Sequence, residues 1–212
     1  MNYTKNKIKD DILIISYYFN QNGWDSANKV SYQRVLYFSA VLGPIFIGNS
    51  KWEYDFSNTI FGPYNNEISE SLQELLVKRD LELVKRKIYQ NRIEESYKIS
   101  NQGIGKCETV IFNLSMNQAK NEWFKIIVKA LSLYGESFLS KLVKVDPNVI
   151  NMNTLNNNGR IISDDSARNV SKEFFLYLKS RGLKEDELDK NDDLEILLMY
   201  FDVLFRKYKG DQ

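Results

Sequence analysis

Two alternating runs, close together in the chain, constrain the fold more than any other feature. Leu81-Glu82-Leu83-Val84 is followed by the basic stretch Lys85-Arg86-Lys87 and then by a second extended run. In that run Ile93, Glu95, Tyr97 and Ile99 share one parity, and Arg92, Glu94, Ser96 and Lys98 share the other. A period of two marks a strand whose side chains point alternately to opposite faces. Two such runs about a short charged stretch predict an antiparallel hairpin with Lys85, Arg86 and Lys87 at its turn.

The segments before the hairpin repeat at helical spacing instead. Over Lys7 to Gln21, Ile8, Ile12, Ile15 and Phe19 fall on one face, and Asn22-Gly23 ends the helix. Ser31 is the expected N-cap of a second helix carrying Val35, Phe38 and Leu42, which Gly43-Pro44 should stop. Lys51 to Phe56 alternates aromatic and charged residues as a half-buried strand would, with Trp52, Tyr54 and Phe56 on its core side. The turn Phe61-Gly62-Pro63-Tyr64-Asn65-Asn66 leads into a third helix, about Asn66 to Lys78, with Ile68, Leu72, Leu75 and Leu76 as its apolar face. Three helices running straight into a hairpin is the order of a winged helix-turn-helix.

Ser100 should cap a helix to about Phe112, with further helices over Gln118 to Tyr134 and Glu136 to Val143 before Asp146-Pro147. Residues 148–165 are rich in asparagine and have little apolar periodicity, so they are expected to be a linker or long loop. Two more helices follow, about Asp165 to Arg181 and Asp192 to Tyr208. The expected fold is mainly α with a small β-hairpin or sheet (α+β), a winged helix-turn-helix-like core with additional C-terminal helices. Its divisions would be 1–147, the linker at 148–165, and a helical segment at 166–212.

Composition narrows the function. The 29 basic and 28 acidic residues nearly cancel, so no whole-molecule field attracts nucleic acid, and any contact needs a local patch. The chain has no histidine, which removes imidazole acid-base chemistry and His metal sites. One cysteine, Cys107, cannot form an internal disulfide or a multi-Cys metal site and fits a reducing, cytoplasmic compartment. No Gly-rich phosphate loop, signal peptide or membrane span is legible. The expectation is a protein that is not an enzyme, uses no cofactor, metal or small-molecule substrate, and binds other macromolecules.

Tyr32-Gln33-Arg34-Val35-Leu36-Tyr37-Phe38, followed by Phe61-Gly62-Pro63-Tyr64 and an acidic helix, resembles the SocA-like (Panacea) antitoxin domain. Tyr97 to Gly103 is similar to the strand-to-helix junction that closes many winged-helix wings. The ensemble, over residues 8–147, also looks like the middle component of bacterial three-component ABC-ATPase antiphage systems of Lamassu type. That resemblance implies a non-catalytic adaptor bridging an SMC-like ATPase and an effector protein, with DNA contact weak for the chain alone. The alternatives are an antitoxin-like adaptor that neutralises a toxin, and a winged-helix DNA-binding regulator.

The residues proposed for these contacts fall in three groups. Lys85, Arg86, Lys87 and Arg92 are positioned to meet phosphates as a wing does. Glu67, Glu70 and Glu74 on the third helix would repel phosphate and suit a protein partner, and Phe61 and Tyr64 join them through the resemblance. The last helix is apolar on more than one stripe, so it is either core or an association surface, with Phe201 and Phe205 as anchors in the second case.

Overall fold

The computed structural model describes residues 2–47, 55–59, 62–90, 92–154, 161–162, 169–182 and 192–210. In chain order these form α1 (Asn2–Gln21), β1 (Ala27–Asn28), α2 (Lys29–Phe46), β2 (Phe56–Thr59), β3 (Gly62–Tyr64), α3 (Asn66–Val77), β4 (Leu81–Tyr89) and β5 (Arg92–Ile99). Then come α4 (Asn101–Thr109), two short 3-10 turns, α5 (Gln118–Ser132), α6 (Glu136–Lys144), α7 (Pro147–Thr154), β6 (Ile161–Ile162), α8 (Val170–Gly182) and α9 (Asp192–Gly210). The chain is mainly helical, with two small antiparallel sheets in the strand orders β1-β5-β4 and β3-β2-β6.

Helix α2 is the axis of the molecule. Every residue from Ser31 to Gly43 is buried, because α3, α5, α6 and α8 pack around it. Its cap is Asn28, whose side chain accepts from the Ser31 N–H at 2.8 Å, and Ser31 lies inside the first turn. Asn28 suits both jobs, since an extended residue can end β1 and cap a helix at once. Pro44 does not stop the helix: α2 runs on to Phe46, and the Ile47 N–H still reaches the Gly43 carbonyl at 2.8 Å. Proline removes one hydrogen bond there without breaking the last turn.

The spacing of four, three and four residues that predicts α1 puts Ile8, Ile12, Ile15 and Phe19 in the core. Asn65 caps α3 by accepting from the Ile68 N–H, and Ser100 caps α4 by accepting from the Gly103 N–H. Gly103 is required where it stands, because a Cβ there would collide with the Asp80 carbonyl oxygen. This close approach seats the hairpin's base on α4.

The expected linker is helical where it begins. Helix α7 covers 147–154, with Asn148, Val149 and Met152 buried, while 155–160 and 163–168 lie outside the described residues. The segment at 166–212 is not a separate body either: Phe175, Ile196, Leu197, Tyr200, Phe201 and Leu204 belong to the same continuous core as Ile12 and Phe38. Residues 51–54 of the expected strand lie outside the described residues, and its end, Phe56, is buried in β2. Among the described residues no helix is long and apolar enough to cross a membrane.

Candidate macromolecular interface

Beyond its base, the β4–β5 hairpin leaves the body of the protein. Leu81 is buried, and every later residue of β4 is exposed. The basic run is not the turn. Lys85, Arg86 and Lys87 lie within β4, directly across from Ser96, Glu95 and Glu94, and the strands continue to the pair Tyr89–Arg92. The alternation of charge sign across the ladder favours this longer pairing over an early turn. Arg86 Nε stands 3.4 Å from Glu95 Oε1, and Lys98 stands 3.0 Å from Glu82. Nearer the tip, Ile88 and Ile93 face each other while 74% and 54% exposed.

The other expected contacts separate. Glu67 and Glu70 are exposed at the start of α3, and Asn66 donates to Glu70 at 2.8 Å. Glu74 turns toward α1, where it pairs with Lys9 at 2.8 Å. Tyr64 is exposed beside them, its hydroxyl 2.8 Å from Ser69 Oγ. Phe61 and the side chain of Arg92 lie outside the described residues. Phe201 is 0% exposed, so it is a core residue and not an accessible anchor. Phe205 is partly buried, with Phe138 at 5.0 Å and Tyr134 at 5.9 Å between ring centroids. The stripes of α9 are covered from within the chain by α5, α6 and α8.

The two stretches that carry the family resemblance meet in space. Gln33 hydrogen-bonds both backbone groups of Asn65, donating to its carbonyl at 2.7 Å and accepting from its N–H at 2.9 Å. Arg34 donates to the Pro63 carbonyl at 2.9 Å. Gly62, at φ +98°, leaves room for that guanidinium, which a Cβ would contact at 2.9 Å. Burial lowers the Arg34 pKa to about 10, so the group stays charged at neutral pH. The pair Gln33-Arg34 on α2 therefore fixes the Gly-Pro-Tyr-Asn turn, which in turn sets the start of α3.

Beside this turn, a slot separates the first turn of α2 from β5. Two hollows adjoin it: one of about 450 Å³ has Arg34, Thr59, Pro63 and Tyr64 in its wall, and one of about 370 Å³ has Lys85, Lys87, Glu94 and Glu136. Lys29, Val30 and Ile93 border both. Sequence reasoning missed Lys29, Val30, Ser140 and Glu136, because nothing local marks residues of α2 and α6 as bordering the same hollow as a distant strand.

No protein family matches this chain, and no characterised protein or solved structure matches it. Burial pushes the Cys107 thiol up to about 12, which keeps it protonated at neutral pH. Asp146, whose pKa burial also raises, is enclosed by the hydroxyls of Tyr37, Ser171 and Tyr200. What lies open is a surface of apolar and paired charged groups suited to contact.

Proposed function

We propose that this chain is a non-catalytic cytoplasmic adaptor of winged-helix type that docks a partner protein on its projecting hairpin. The element order α1, β1, α2, α3, β4, β5 with strand order β1-β5-β4 supports the winged-helix reading. The observation that carries the function is the hairpin itself: Leu83, Val84, Ile88, Tyr89 and Ile93 are exposed there, while Arg86 pairs with Glu95 and Lys98 with Glu82 across the ladder. Exposed aliphatic and aromatic groups on a projecting ribbon favour a protein surface over a phosphate backbone. In line with the resemblance, the partners would be an SMC-like ATPase and an effector protein.

The test is co-expression with the products of neighbouring genes, followed by affinity purification through this chain. An Ile88→Asp, Tyr89→Asp double variant alters only exposed positions, so its melting temperature should match the parent. Its partner should be lost from the eluate. A stable ATPase or effector complex unaffected by that double variant would overturn the assignment of the hairpin, and no complex at all would overturn the adaptor reading.

A further inference from the structure

We infer that the hollow of about 450 Å³ beside the Gly-Pro-Tyr turn is a binding site for a small organic anion, an apolar body carrying one carboxylate. The inference goes beyond the adaptor reading and does not depend on which partner the hairpin meets. The wall of this hollow is one-sided in charge. Lys29 and Arg34 stand in it, and its described residues include no aspartate or glutamate. The neighbouring hollow is the contrast, since Lys29, Lys85 and Lys87 stand there with Glu94, Glu95 and Glu136. Arg34 borders only the larger of the two.

Arg34 is 6% exposed and keeps its charge, because burial lowers its pKa only to about 10. The Pro63 carbonyl that accepts from it carries no net charge. Desolvating a guanidinium is costly, and a negative charge brought against the same wall offsets part of that cost. Water screens the attraction weakly beside a buried cation, so it acts without a direct hydrogen bond. Lys29, half-buried on the first turn of α2, makes no ion pair among the described residues. Glu136, which borders the second hollow with it, instead accepts from the Asn28 N–H and the Ser31 hydroxyl, both at 2.7 Å.

The rest of the wall is largely apolar, with Val30, Pro63, Ile93 and the Tyr64 ring. Val30 and Ile93 are 46% and 54% exposed, and an apolar ligand body would take that surface out of water. An inorganic anion would leave it uncovered, and a neutral molecule would leave the two cations unmatched. One amphipathic anion satisfies both. The volume lies within the range of roughly 300–1,000 Å³ usual for small-ligand sites, which share this make-up of apolar walls and a few polar groups. The wall is also held in place beforehand, by the bonds from Gln33 to Asn65 and from Arg34 to Pro63, so little ordering remains for a ligand to supply.

The probes are hexanoate and phenylbutyrate, titrated into the full chain and followed in amide NMR spectra. The controls are the matched primary amides, hexylammonium and inorganic phosphate. Both carboxylates should give saturable shifts at Lys29, Val30, Tyr64 and Ile93, at about millimolar concentration or below. Each control should bind at least about tenfold more weakly, equivalent to about 1.4 kcal/mol. Arg34 is left intact, because the turn depends on it. Val30→Asp brings a negative charge to the wall from an exposed position and should weaken hexanoate about tenfold, while the near-isosteric Val30→Asn should weaken it less. Lys29→Gln should lower the affinity and flatten its dependence on salt. All three variants should melt with the parent. Absence of shifts with both carboxylates, or shifts centred away from this wall, would overturn the site. So would amides that bind as tightly as the acids, phosphate that binds as tightly as hexanoate, or a Val30→Asp variant indistinguishable from Val30→Asn.

Discussion

At the scale of single residues, Asp146 has the largest consequences for stability. Its carboxylate is 0% exposed and accepts from Tyr37 at 2.6 Å, Ser171 at 2.8 Å, Tyr200 at 3.0 Å and the Asn148 N–H at 3.1 Å. One side chain thus joins α2, α7, α8 and α9, and Asn169 extends the network by donating to the Val41 carbonyl at 2.6 Å. Burial raises the Asp146 pKa and the three hydroxyls oppose it, with burial the larger effect. The sign follows: folding favours the protonated acid, so this group's contribution to stability is complete below its ordinary value of 3.8 and is lost as pH rises through the raised folded pKa. Asp146→Asn removes that dependence. In denaturant titrations its deficit relative to the parent should be largest below pH 3.8 and should narrow as pH rises. A deficit that widens toward neutral pH would contradict this. Asp146→Ala strands several buried donors and should cost on the order of 3 kcal/mol or more, seen as a lower denaturation midpoint. None of this was legible in the sequence, where Asp146-Pro147 reads as a helix stop; the three hydroxyls come together only through tertiary packing.

At the scale of elements, local pattern served well where it was strong and failed where two patterns competed. Helix α3 lies within one residue of its expected span, since an Asn cap, an acidic first turn and four aligned apolar residues all agree. The hairpin was legible from its parity, but its turn was not. A run of three cations looks like a solvated tip until the opposing glutamates are counted in register. The slot went unread for a related reason: its walls combine residues of α2, β3, β5 and α6 whose neighbourhood no local periodicity reveals. The register carries a prediction about DNA. With Arg86 beside Glu95 and glutamates at the head of α3, Lys85 and Lys87 are the described hairpin cations best placed to meet phosphate. Two contacts imply a slope of about −2 in log K against log salt for duplex DNA. Anisotropy titrations should therefore show weak binding by the isolated chain that fades at physiological salt and disappears in Lys85→Ala, Lys87→Ala. Tight binding indifferent to that pair would point to a different nucleic-acid surface.

At the scale of the whole molecule, the C-terminal helices complete the core around α2. Phe201 packs edge-on against Phe38 at 5.2 Å and near Tyr134 at 6.2 Å, and Tyr134 donates to the Leu198 carbonyl at 3.2 Å. Asp202 and Arg206 hold the outer face of α9 with an ion pair at 2.7 Å. Apolar residues on several stripes of a helix demand cover, but the sequence cannot say whether the cover comes from the same chain; here α5, α6 and α8 supply it. The consequence is cooperative unfolding. Phe201→Ala opens a cavity at the contact between α2 and α9 and should cost about 3–5 kcal/mol. Phe205→Ala should cost less, because its ring is only partly buried and lies under Lys209 Nζ at 4.6 Å. Because α9 and α2 share one core, the Phe201 variant should melt in a single transition, and amide exchange in α2 should accelerate together with exchange in α9. Two separate transitions, or fast exchange confined to α9 while α2 stays protected, would mean that the C-terminal helices fold apart from the rest.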